Sequence, residues 1–274
     1  MDSTGLYVLG NSPDSRDSDR ASWQLPRGVP KGAWDYTQAD SIAREYDEYF
    51  QDHSLLALDQ ALLDKWIVEP GTVIDFGCGT GRALRSLLAR RMRGIGIDLS
   101  QPMLNEAKAS LSHFGDQFSP IRANLVELDC IASGSADYGI CLFSTLGMIK
   151  GDQNRRAALS HMVRTLKPGG RFVLHVHNFW FNLYDPGGPW WLLKSLIGRA
   201  GQERGDRLYN YRGIRNFYLH AFTRRELKQI IKGCGLEIAE WVPLRPKCSG
   251  PLVYPWLLQS LRATGWIVLC KKPN

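Results

Sequence analysis

Asp75-Phe76-Gly77-Cys78-Gly79-Thr80-Gly81 sets three glycines at alternate positions behind a short β-branched run, with helix-like spacing beginning just after. Glycine there lets the backbone turn sharply and lets a ligand approach it closely. A helix starting at that point presents unpaired backbone N–H groups, which suit an anion such as a carboxylate. Asp75, at the end of the run, can meet an ammonium group. A ligand carrying both groups is an amino acid. Asp98 closes a second run, Gly94-Ile95-Gly96-Ile97-Asp98-Leu99-Ser100. An acid about 20 residues beyond a glycine loop can accept both hydroxyls of a ribose. The spacing argues against a dinucleotide, because the third glycine falls four residues after the first and Arg82 follows it.

Other residues have a plain and a chemical reading. Cys78 is a small loop residue, with no histidine base indicated nearby to make it a nucleophile. His175 and His177 share one face of a strand by two-residue alternation. They are packed, hydrogen-bonded histidines, or His177 and Asn178 face a substrate at the strand's carboxyl end. Ser144 and Thr145 orient a nucleophile or cap the next segment. His220 packs or touches substrate. His177, Asn178 and Ser144 are the catalytic candidates, with His177 the leading candidate for a base. The six cysteines show no CxxC pair and no zinc spacing, so no metal is expected, and several lie inside apolar runs.

These groups need a scaffold. Helical spacing begins near Tyr36 and runs to Phe50, followed by a second helix over 55–67. Strands are predicted at 72–77, 94–100, 120–125, 137–144 and 171–178, with helices at 83–91, 103–111 and 155–166 between them. Lys167-Pro168-Gly169-Gly170 ends the last of these helices. This alternation is the signature of an α/β fold with a parallel sheet and right-handed crossovers. Residues 179–215, rich in tryptophan and glycine, break the pattern and read as a lid inserted over the open end of the sheet. Strand patterning resumes at 216–222, 236–244 and 265–272, and Thr223 with Glu226 has capping-box spacing. Residues 1–33 are polar and read as a flexible tail, leaving 34–274 as one domain.

An amino-acid group joined to a ribose diol describes S-adenosyl-L-methionine. DFGCGTG (75–81) resembles the first motif of the class I S-adenosylmethionine-dependent methyltransferases, an acid followed by GxGxG. The resemblance extends to GIDLS (96–100), ANLVELD (123–129) and LKPGG (166–170). It implies a doubly wound, seven-stranded, mostly parallel sheet with its last strand antiparallel and helices on both faces. It implies that Asp75, Gly77, Cys78, Gly79, Gly81, Asp98, Leu99 and Phe143 line the cofactor. Asn124 and Leu125 are then expected beside the adenine, and Tyr46 over the cofactor. Asn124 stands where the family usually has aspartate, a departure that weakens the contact to the adenine amine.

Composition bounds the partners. With 274 residues and 44% apolar content the chain can bury one substantial core. A net charge of +7 is compatible with RNA or a lipid head group but does not demand either. The chain lacks a long apolar run and a secretory pattern, so a cytoplasmic protein with at most peripheral membrane contact is expected. A small or lipophilic acceptor under the tryptophan-rich lid is the first expectation. The 211–231 segment loosely resembles the C-terminal part of wobble-uridine tRNA methyltransferases, which makes tRNA the second. Binding of S-adenosylmethionine without catalysis and a nucleotide-binding oxidoreductase are the remaining readings.

Overall fold

The computed structural model describes residues 21–51, 54–198, 203–246 and 250–274, and most of the expected tail lies outside the described residues. Its last part does not hang free. Arg27 O accepts from Asn124 Nδ2 at 3.0 Å and Gly28 O from Lys150 N at 2.8 Å, so the chain lies against the fold from Arg27 onward.

The helical run predicted from Tyr36 to Phe50 is three short helices, α1 (Lys31–Gln38), α2 (Asp40–Arg44) and α3 (Tyr46–Phe50). A cause of the first break is visible at Thr37, whose carbonyl is taken by the Ser100 hydroxyl at 2.7 Å. Next come α4 (Ser54–Trp66), β1 (Thr72–Phe76), α5 (Arg82–Ala89), β2 (Arg93–Asp98) and α6 (Gln101–Ser110). Strand β3 (Phe118–Arg122) ends earlier than predicted, because the Asn124 side chain accepts from Val126 N and starts a 3-10 turn. Then follow β4 (Ala136–Cys141), α7 (Asp152–Thr165) and β5 (Leu166–His177). The Lys167–Gly170 stop does end the helix, and the same residues form the irregular start of β5.

The seven-stranded sheet has the order β3-β2-β1-β4-β5, completed by two later strands, β9 (Gly265–Lys271) and then β8 (Glu237–Pro243). Strand β9 runs antiparallel to both of its neighbours, β5 and β8, while the pairs among the first five strands are parallel. Val73, Ile74 and Phe76 of β1 are all fully buried, as expected of a parallel strand covered on both faces. The order reverses between β1 and β4, and in such sheets ligands bind at that switch, beyond the carboxyl ends of the strands.

The strand predicted at 216–222 is not part of this sheet. Within the insertion, α8 (Gly188–Ile197) leads to β6 (Asp206–Tyr211) and β7 (Ile214–His220), which pair in a separate hairpin. The apolar face of β7 is covered by α1 instead of a sheet neighbour. Tyr36 packs edge-on to Phe217 at 5.5 Å, and a Cβ on Gly32 would stand 2.5 Å from Asn216 O. The other end of the hairpin is tied by charge. Buried His220 bonds Asp206 through Nδ1 and Glu226 through Nε2, both at 2.8 Å, and Arg155 pairs with Glu203. Glu226 is also the capping-box residue of α9 (Arg224–Gly233), whose Thr223 Oγ1 accepts from Glu226 N at 3.2 Å. His220 is therefore a packing residue, held in an ion-pair network.

Candidate functional site

The loop from β1 to α5 uses its three glycines for different purposes. Gly77, Gly79 and Gly81 have φ of +86°, +53° and +78°, conformations that strain any L residue. Gly77 N and Cys78 N donate to Ile97 O at 2.7 and 3.0 Å, hanging the loop on the end of β2. A Cβ on Gly77 would stand 2.4 Å from Thr145 Cγ2, and one on Gly81 2.6 Å from Leu111 Cδ1. Those two glycines make room for protein. A Cβ on Gly79 would meet only Tyr46 Cε1 at 4.0 Å, so the space above this peptide is open for a ligand beneath the Tyr46 ring. The Cys78 thiol lies buried, 2.9 Å from where a Gly96 Cβ would be, and burial with nearby Asp98 and Asp75 pushes its pKa well up. Its side chain packs against Gly96 beneath the loop.

Two acids face this loop. Asp98 Oδ2 accepts from Gly79 N at 2.9 Å and Oδ1 from Ser100 N at 2.8 Å. These bonds fix the carboxylate while each oxygen keeps a lone pair for a further donor. Burial raises the Asp98 pKa, and the backbone donors counter that. Asp75 is buried at the end of β1, and burial lifts its pKa to about 7. Arg82 lowers it, while Asp98 and Asp59 raise it. Ala123 N donates to Asp98 O at 3.1 Å, which brings half-buried Asn124 and buried Leu125 beside the end of β2. Leu99 follows Asp98 directly, half-buried, its carbonyl held by Arg122.

Sequence reasoning missed Asp59 and Arg82. Asp59 sits among Leu55, Leu62, Leu63 and Trp66 on the buried face of α4, 3.5 Å from Arg82 Nη2. A charge within an apolar stripe was the available signal. Arg82 lies over the Phe143 ring at 5.0 Å and acts on Asp59, Asp75 and Tyr46 together. Burial lifts the Asp59 pKa from 3.8 to about 7, against the pull of Arg82. The folded protein thus binds more protons than the unfolded chain between these values. Stability from this group is full below 3.8 and lost as pH rises through about 7. Asp59→Asn stays neutral, so its melting temperature should gain on the parent from acid to neutral pH. The expected gain in unfolding free energy is on the order of 4 kcal/mol, from about 1.36 kcal/mol for each pH unit between 3.8 and about 7, and a pH-independent difference would refute the buried acid.

On the β4–β5 side the predicted residues separate. Phe143 and Ser144 hold left-handed φ of 51° and 61°, ending β4 before the predicted 144. Ser144 is fully buried and its hydroxyl accepts from His177 N at 3.2 Å, so it braces the two strand ends. Asn178 is fully buried as well. Its Nδ2 donates to Ser260 O and Ala263 O, both at 2.6 Å, and its Oδ1 accepts from Trp180 N, which uses the whole amide for structure. The His177 ring is half-buried and stacks on Phe181 at 5.3 Å. It belongs to a row of rings. Phe50 meets Phe143 at 5.6 Å, Phe143 meets His175 at 6.2 Å, and His175 meets His177 at 5.8 Å. The row leads from the residues above the glycine loop to the Phe179–Tyr184 turn.

Residues 73–170 match a family of methyltransferase domains. The S-adenosyl-L-methionine-dependent Diels-Alderase iccD of Talaromyces variabilis is 30% identical over 128 residues, 45% of this chain and 42% of that protein. The ubiquinone biosynthesis O-methyltransferase of Dechloromonas aromatica is 30% identical over 106 residues, 39% of this chain and 44% of that protein. The chain spans about half the length of the curated relatives it matches. The fold is that of the 1,6-didemethyltoxoflavin-N1-methyltransferase of Burkholderia thailandensis, solved with 1,6-didemethyltoxoflavin and S-adenosylhomocysteine. The TM-score is 0.60 at 17% identity, covering 85% of each chain.

Proposed function

We propose, for a chain that carries a class I S-adenosylmethionine-dependent methyltransferase domain, that it methylates a small or lipophilic acceptor bound between the glycine loop and the aromatic lid. The observation that carries this reading is the ring row from Phe50 through Phe143, His175 and His177 to Phe181. A planar or greasy molecule is what such a wall takes up. The residues fit the cofactor. The open peptide at Gly79 leaves room for it, Asp98 would offer acceptors to its diol, Asp75 would meet its ammonium, and Tyr46 would cover it. When bound, S-adenosylmethionine supplies a methyl group on a sulfonium, already activated for displacement. The protein's own part is alignment and exclusion of water, which account for most of the gain in such a step.

His177 is the candidate base for an acceptor that must lose a proton. His177→Ala is expected to lower kcat about 100-fold and flatten its pH profile, with little change in melting temperature. Asn178→Ala should instead cost roughly 3 kcal/mol of stability, since it leaves two buried carbonyls without donors. Unchanged kcat and pH profile in His177→Ala removes the base assignment.

A screen with labelled methyl donor against lipophilic metabolites, polar metabolites and tRNA tests the acceptor class. Label in tRNA alone would overturn the proposal. Arg212, in the tRNA-like segment, already pairs with Glu45 at 3.2 Å and lies over Tyr49 at 4.5 Å, so it does not offer its charge to a phosphate. Calorimetry with S-adenosylmethionine and NAD accompanies the screen. Binding without turnover on any pool would leave the non-catalytic reading, and binding of NAD alone the oxidoreductase one.

A further inference from the structure

We infer that the face built from α8, the Phe179–Tyr184 turn and residues 250–262 docks on a bilayer containing anionic lipid. Within that segment a short helix, α10 (Gln259–Arg262), leads back to β9. The inference is independent of which acceptor is methylated.

Helix α8 is apolar on more than its packed side. Leu192 is buried, yet Trp190 is 70% and Ile197 77% exposed, with Leu193 and Leu196 exposed between them. Beyond the turn, Trp256 is 78%, Tyr254 63% and Leu258 62% exposed. Tyr184 Oη donates to Leu261 O at 3.1 Å, joining the two parts. An apolar surface of this extent marks an interaction site.

The exposed segment is held in shape. Arg262 Nη1 donates to Tyr254 O and Leu257 O at 3.1 and 3.0 Å, and Nη2 to Val253 O at 2.9 Å. One guanidinium thus gathers the carbonyls while the Tyr254, Trp256, Leu257 and Leu258 side chains stay in water. Tyr254 and Leu258 also hold left-handed φ of 54° and 44°, a strained state for residues with side chains.

The rim supplies the charge. A groove of about 510 Å³ is lined by Arg224, Arg225, Lys228, Gln229, Lys232 and Ser260. Ser260 belongs to α10, so the cations of α9 adjoin the apolar segment. Leu227, Ile230 and Ile231 of α9 are buried, which turns its basic residues outward. Arg224 and Lys232 hold the Lys228 pKa below its ordinary value, as like charges set close together do. Apolar side chains beside a cationic rim are what an anionic bilayer accepts. RNA would satisfy the cations but not the leucines and isoleucine. A second copy of the chain would set like charges against each other.

The test is co-sedimentation of the full chain with phosphatidylcholine vesicles, with and without phosphatidylglycerol, and tryptophan emission on the same mixtures. Binding to phosphatidylglycerol-containing vesicles, weakened by salt and accompanied by a blue shift, is expected. Trp190→Ser with Trp256→Ser, and separately Arg225→Glu with Lys228→Glu, should each reduce vesicle binding roughly tenfold or more. Thermal melts of these variants establish that they fold, and the emission shift of the unaltered protein needs no variant. No binding to phosphatidylglycerol vesicles would overturn the inference. So would binding that ignores both pairs of substitutions, tRNA binding through the basic rim without vesicle binding, or a dimer that Trp256→Ser dissolves. None of these readouts uses the cofactor, so they stand apart from failure of the methyltransferase reading.

Discussion

Asp98→Ala lowers the affinity for S-adenosylmethionine roughly 100-fold, measured by calorimetry. The expectation rests on hydrogen bonds from a ribose diol to an ionised carboxylate, each worth about 1.5–3 kcal/mol. Losing about 3 kcal/mol is a loss of roughly two decades in Kd. The same substitution frees Gly79 N and Ser100 N, which Asp98 holds at 2.9 and 2.8 Å. A drop in stability of about 1–2 kcal/mol should accompany it. Asp98→Asn separates the two effects. It keeps the size and one carbonyl oxygen, so it can accept from only one of the two backbone donors; stability should return in part while affinity stays about tenfold down. S-Adenosylhomocysteine should respond in parallel, because the diol is common to both. Unchanged affinity in Asp98→Ala would refute the assignment.

Alanine at the three loop glycines should give unlike results. Gly77→Ala forces a methyl to within 2.4 Å of Thr145 Cγ2 at φ +86°. Strain and overpacking together should cost about 3 kcal/mol or more. Gly81→Ala should behave similarly against Leu111, at 2.6 Å. Gly79→Ala meets nothing closer than 4.0 Å, so only the left-handed backbone, about 1–2 kcal/mol, tells against it in the free protein. Its methyl would project into the space left for the cofactor, and affinity should fall at least about tenfold through lost close approach. Thermal melts with and without S-adenosylmethionine distinguish them. Gly77→Ala is low in both, whereas Gly79→Ala melts near the parent when free and gains little from ligand. If Gly79→Ala were stabilised by cofactor as fully as the parent, the loop peptide would not be the cradle.

The alternation of strand and helix was legible from 72 to 178, because parallel strands buried on both faces are continuous apolar runs and glycine or proline ends them. Capping of α9 by Thr223 was legible for a similarly local reason. The 216–222 strand was read correctly as a strand but not by its place. Its sequence calls for a covered face and does not name the cover, which proved to be α1 and a hairpin partner. Ser144 and Asn178 were polar residues at the right ends of the right strands. Only the packed structure could reveal that the Ser144 hydroxyl accepts from His177 N and that the Asn178 amide donates to the carbonyls of Ser260 and Ala263.

What the sequence by itself determined is the glycine loop and the acids beside it. Asp75, Gly77, Gly79, Gly81 and Asp98 are constrained by backbone conformation and short-range spacing, and both are written in neighbouring residues. What only the tertiary structure decided is how these groups are tuned and what lies opposite them. Asp59 reaches the site from α4, Arg82 acts on both Asp59 and Asp75, and the ring row joins α3, two strand ends and the Phe179–Tyr184 turn. Such contacts join residues far apart in the chain through burial and charge, and local sequence carries no record of which partner will arrive.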